Sequence, residues 1–228
     1  MLNHLKQIHH LSKHQGLYPL LLSTLLAFML LIGRVYLSGR LTFDFLLWNL
    51  ILAWIPYVCS FWATHLYKYQ VRYRWALLVP SLIWLVFFPN APYLVTDFLH
   101  LVPRHPVPLW YDIGLLSVFA WTGLFLAVFS LQAMQRLLAV ATGLLMSWLF
   151  VFAVVALSGF GVYLGRFLRW NSWDLVLHPW DILADVAARV VSPWHYLPDF
   201  GFSFIFAAFL LICYLTVSSG SAPDRFDI

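Results

Sequence analysis

Six long apolar runs decide what this chain is able to fold into. They occupy residues 17–37, 43–66, 76–102, 109–131, 137–165 and 203–218, and they approach or exceed the roughly 20 residues that an α-helix needs to cross the hydrocarbon core. No β-barrel alternation is visible, and within lipid only helices and closed barrels satisfy their own backbone. The sequence therefore predicts an all-α integral membrane bundle of six transmembrane helices, one domain over residues 17–218. A polar, His-rich N-terminal tail (1–16) and a polar C-terminal tail (219–228) flank it. Only 10% of the residues are charged, against about 25% in soluble domains, which excludes an ordinary soluble fold.

Charge then narrows the partners. All nine acidic residues are Asp. The basic residues are scattered between apolar runs and form no basic face, so the net charge of +4 points to membrane lipids and not to nucleic acid. Cys59 and Cys213 both fall mid-span, which argues against a disulfide framework or a thiolate metal site. No cleavable signal peptide precedes the first run, so it is read as a retained span. Three basic residues share the short KYQVRYR stretch between spans two and three, whereas seven of the nine Asp fall on the other side. The expected arrangement is a multi-pass protein of the cell membrane with both termini in the cytoplasm.

The third run contains residues foreign to lipid, FFPNAPYLVTDFLH (87–100). Ala76 to Phe88 is 13 residues, about 20 Å of helix, so the break falls inside the membrane. Pro89 and Pro92 each remove a backbone donor and disfavour helix at the preceding residue. A broken third span is predicted, with a second short helix starting near Pro92 and capped by Asn90. On that helix Tyr93, Asp97 and His100 recur at i, i+4 and i+7, with Arg104 one turn on. Irregular backbone at this depth needs protein or a wet cavity around it, so the polar stripe should face inward. The plainer reading is a kinked helix in which Asn90 and Thr96 repair lost backbone bonds.

A second constellation is GRFLRWNSWD (165–174) at the end of span five. Arg166 and Arg169 lie at helical spacing and are expected to project together as a pair of guanidiniums for phosphate or carboxylate. Asn171 or Ser172 should cap a short turn holding Trp173 and Asp174, with Trp170 beside them. The plainer reading makes these residues headgroup anchors. Gly159, Gly161 and Gly165 form a small-residue face for close helix packing. Between spans five and six, residues 179–191 place Trp180, Leu183, Ala184, Ala187 and Val191 on one face and Asp181, Asp185 and Arg189 on another. That pattern predicts an amphipathic helix lying in the interface. Asn49, mid-span, reads as an interhelical hydrogen bond. Asp112, in the WYD that opens span four, favours a helix start even without a catalytic role.

With six crossings, these groups share one membrane face and converge on a polar pocket near the outer leaflet. Candidate catalytic residues are Asp97, His100, Asp112 and Asp174; candidate substrate-binding residues are Asn90, Tyr93, Arg166, Arg169, Trp170, Asn171 and Trp173. In one function, a membrane enzyme acts on an anionic lipid or envelope intermediate, with Asp97 as base and His100 carrying a proton. No cofactor is specified. A divalent metal shared by Asp97 and His100 with Asp112, Asp174 or His178 is the less favoured variant, because no HExxH signature occurs. Alternatively, the protein is a solute-binding or transport subunit needing a homo-oligomer or a partner membrane subunit. The third reading is a structural or assembly protein whose ion pairs are glue.

The strings FFPNAPYLVTDFLHL, WYD and SGFGVYLGRFLRWNSWDL carry a resemblance. From about Leu41 to the last span, the chain resembles a bacterial family of multi-pass membrane proteins, domain of unknown function 1361. The resemblance implies a plasma-membrane protein and supplies no assigned activity and no catalytic residues to carry over.

Overall fold

The computed structural model describes residues 16–69 and 74–220. Six helices are long and apolar enough to cross a membrane: Leu17–Ser38, Phe45–Tyr69, Trp75–His100, Leu109–Thr142, Leu144–Phe167 and Leu197–Gly220. No strand occurs among the described residues. Most of both polar tails, and most of the KYQVRYR stretch on which orientation rested, lies outside the described residues.

Span four is the hub. In its most apolar window 61% of residues are buried, against 22% in spans one and six, so the others pack around it. Three boundaries differ from the sequence reading, with span five starting at Leu144 rather than 137 because span four runs on. Span four runs past 131 to Thr142 because Gln132 and Gln135 find partners within the bundle, Ser218 (3.0 Å) and the Tyr214 hydroxyl. Gly143 then turns the chain at φ 90°, a conformation that only glycine adopts without strain. Span six begins at Leu197, not 203, with Pro198 and Asp199 in its first turn. Proline costs nothing there and a carboxylate suits the dipole.

The third span is broken, but it does not fold back. Regular helix covers Leu78–Phe87, a single turn covers Asn90–Tyr93, and a 3-10 segment covers Leu94–His100. Phe88 and Pro89 keep right-handed helical dihedrals, so the hydrogen-bond ladder lapses while the trajectory continues. The second segment thus starts at Asn90, before Pro92. Asn90 does not cap it; its amide turns back to the Phe87 carbonyl (2.9 Å), whose helical donor, the Ala91 N–H, goes to the Phe88 carbonyl (3.2 Å) instead. The broken segment presses its backbone onto span four at Gly123. A Cβ there would collide with the Ala91 carbonyl and the Leu94 side chain.

The glycine face of span five meets two neighbouring spans. Gly159 lies against Ser203 and Ala207 of span six, Gly161 against Pro89, and Gly165 against the Tyr93 ring. The interfacial helix spans Pro179–Val191. It buries Ile182 and Arg189 and half-buries Asp185, while Asp181, Trp180, Leu183 and Val191 are exposed, so Asp185 and Arg189 turn toward the bundle and most of its apolar residues outward. That is the orientation lipid would impose.

Candidate functional site

Consecutive spans alternate in direction, which brings the ends of spans one, three and five to the starts of spans four and six. At this end three arginines each bind carboxylates from another element. Arg34, in the last turns of span one, donates through Nε and Nη2 to the two oxygens of Asp112 (3.0 and 3.2 Å) and through Nη1 to Thr42 (3.4 Å). Arg189 of the interfacial helix donates to Asp199 (3.2 Å) and to the Tyr163 hydroxyl (3.2 Å), and its own-turn partner is Asp185. Tyr163 in turn donates to Asp199.

The third clasp lies at the broken span. Arg166 Nη2 donates to Asp97 Oδ1 (2.5 Å), and Nε and Nη2 both reach Thr96 Oγ1 (2.8 and 2.6 Å). Its Nη1 lies 3.4 Å from His100 Nδ1, and its guanidinium stacks 4.5 Å over the Tyr93 ring. Asn49 of span two donates to the other oxygen, Asp97 Oδ2 (3.0 Å). Spans two, three and five are thereby joined through one buried carboxylate, and both of its oxygens are occupied.

The 3-10 conformation explains this set. At three residues per turn, Tyr93 stacks with Thr96 and Asp97 with His100, leaving one guanidinium to bridge two columns. An α-helical register would have sent Thr96 elsewhere, which is why spacing alone treated it as a backbone repair. Arg104, expected to extend the stripe, lies beyond the helix, 5.0 Å from the Phe43 ring centroid.

The other candidates separate. Asp112 belongs to the Arg34 clasp, with no carboxylate oxygen left over. Arg169 does not project beside Arg166. Span five ends at Phe167, and Arg169 turns left-handed (φ 62°) and is exposed, without an ion pair to any described residue. Asp174 folds back on its own turn, accepting from the Asn171 backbone N–H (2.7 Å) and side-chain amide (3.2 Å). Trp173 caps that turn by position only and sits edge-on to Trp48 at 6.3 Å. Trp170 donates its indole N–H to Asp185 (2.7 Å).

Next to the Arg166 clasp, spans two, three and five enclose a crevice of about 140 Å³. Its polar lining comes from Asn49, Asn90, Tyr93, Asn171 and Ser172, and its walls from residues such as Leu52, Val86, Pro89 and Leu164. Trp48, 53% exposed, and Leu175, 47% exposed, mark its mouth. No lining residue is charged. Asn90 crosses it to donate to Ser172 (2.7 Å), fastening the break to the turn after span five.

Sequence reasoning missed Trp48, Thr96, Ser172 and the partners Arg34 and Arg189. Arg34 was the findable one, since an arginine in the last turns of an apolar span demands a carboxylate. Among the described residues, no three of His, Cys, Asp and Glu converge as a metal ion would need. Cys59 and Cys213 are free thiols. No curated protein and no solved structure matches the chain. A family model does match, over residues 48–213, a stretch holding the broken span, the Arg166 clasp and the whole crevice. The chain belongs to the DUF1361 family of proteins of unknown function.

Proposed function

We propose that the protein binds a membrane amphiphile in the crevice between spans two, three and five. The observation that carries this reading is the crevice's composition: an uncharged polar patch of Asn49, Asn90, Asn171 and Ser172 set between apolar walls, with Trp48 and Leu175 at the mouth. Concave, largely apolar sites with a few convergent polar groups suit amphiphilic ligands. A mouth beside the interfacial helix suits entry from lipid, with a headgroup against the amides and chains running along the spans. With both termini in the cytoplasm, that mouth would open to the outer leaflet.

Binding is favoured over general-base catalysis by Asp97. One of its oxygens is held by Arg166 and the other by Asn49, and neither Asp97 nor His100 lines the crevice. The Asp97 clasp instead sets the shape of the site, fixing span two against span five.

The test is lipid retention. The protein purified in mild detergent should carry a discrete amphiphile in native mass spectra, and Val86→Phe, which fills the crevice from span three, should lose it while thermal stability holds. Equal retention by the variant would refute the reading.

A further inference from the structure

Resting on that binding reading, we infer that the amphiphile carries a neutral, hydroxyl-rich head of the sugar or polyol class. What the crevice can recognise depends on the atoms its three lining asparagines have left. Asn49 Nδ2 donates to Asp97 Oδ2 (3.0 Å). Asn90 Nδ2 donates to the Phe87 carbonyl (2.9 Å) and to Ser172 Oγ (2.7 Å). Asn171 Nδ2 donates to Asp174 Oδ2 (3.2 Å). Carboxylate and carbonyl oxygens only accept, so chemistry fixes the orientation of all three amides.

Asn90 thereby spends both of its amide hydrogens, Asn49 and Asn171 each keep one, and no described residue donates to the three Oδ1 atoms. The indole N–H of Trp170 is likewise committed, to Asp185 (2.7 Å). What remains on the lining is uncharged and mixed: three amide oxygens that accept, and donors in the Tyr93 and Ser172 hydroxyls and one N–H each on Asn49 and Asn171. A ligand that complements it must both donate and accept hydrogen bonds without carrying charge, as a set of hydroxyls does.

An anionic head finds no free cation here. The guanidinium adjoining the crevice, Arg166, has all three nitrogens turned to Thr96, Asp97 and His100. Burying a phosphate with no free cation beside it carries a heavy desolvation cost, and its oxygens offer the amide carbonyls no donor. A cationic head fares little better, because the lining offers no carboxylate and Asp97 is already neutralised. The rings of Trp48, Tyr93 and Trp170 supply apolar faces for the C–H side of a pyranose or polyol.

The experiment uses three lipids on one dioleoylglycerol anchor, with glucosyl, phosphate or phosphoethanolamine heads, competing for the delipidated full-length protein in native mass spectrometry. The glucosyl lipid should be retained about tenfold better than either other lipid, the scale of one or two net hydrogen bonds. Asn171→Leu, at an exposed position, should erase most of that preference, and Val86→Phe should abolish binding of all three. If the phosphate or phosphoethanolamine lipid wins and Val86→Phe still abolishes it, the crevice reading stands and the hydroxyl-rich head is refuted. The same refutation follows if Asn171→Leu keeps the glucosyl preference. If all three lipids bind the wild type and Val86→Phe alike, the binding reading itself falls.

Discussion

The Arg34–Asp112 and Arg166–Asp97 pairs use the same chemistry to different ends. In the first, the two side chains are 2% and 1% exposed and bind through both carboxylate oxygens. It is a sealed clasp between spans one and four. In the second, Asp97 is equally buried at 1%, but Arg166 is 10% exposed and spreads its donors over Thr96, Asp97 and His100. Asp97 gives its second oxygen to Asn49, a crevice residue. The sealed pair only holds helices together. The shared pair also orients a binding group, and by taking one Asn49 N–H it helps set what the crevice presents.

The largest effect should come from breaking the sealed pair. Asp112→Ala leaves the Arg34 guanidinium buried without a counter-charge, and an orphaned buried charge costs about 3–5 kcal/mol. Thermal unfolding in detergent should show a steeper loss of Tm for Asp112→Ala than for any of the substitutions that follow. Asp97→Ala should cost less, about 1–3 kcal/mol, because Thr96 still accepts from Arg166 and water reaches its exposed edge. It should also free the Asn49 N–H that Asp97 holds and weaken the headgroup preference. Equal Tm losses in the two variants would erase the distinction between the pairs.

Smaller effects sharpen the contrast. Val86→Phe should shift stability by less than about 1 kcal/mol, since the added ring enters existing space rather than a packed core, yet ligand retention should vanish. Smallest of all is Arg169→Gly, which relieves a left-handed backbone at an exposed residue and should raise stability by a few tenths to about 1 kcal/mol. A measurable loss of stability there would mean that Arg169 holds a partner after all.

The elements were more legible than their pairings. Apolar run length alone located all six spans, and Pro-Asn-Ala-Pro located the break, because length and missing donors are local properties. The amphipathic pattern of 179–191 matched the helix Pro179–Val191 for the same reason. Pairing is not local. Nothing around Asp112 announces Arg34, 78 residues earlier, and the register of Thr96 depends on a 3-10 helix that α-spacing does not foresee. Arg166 and Arg169 read as neighbours only if span five continues, whereas it ends at Phe167. Trp48 and Ser172 became site residues through packing across spans two, three and five, which one sequence does not display.

The most direct measurement is site-specific photocrosslinking in the native membrane. A diazirine amino acid at Val86, on the crevice wall, is compared with one at Leu25, a 54% exposed residue on span one. If the crevice is a ligand site, Val86 should capture one amphiphile far out of proportion to its abundance, while Leu25 captures the bulk lipid mixture. The same mixture at both positions would contradict the account.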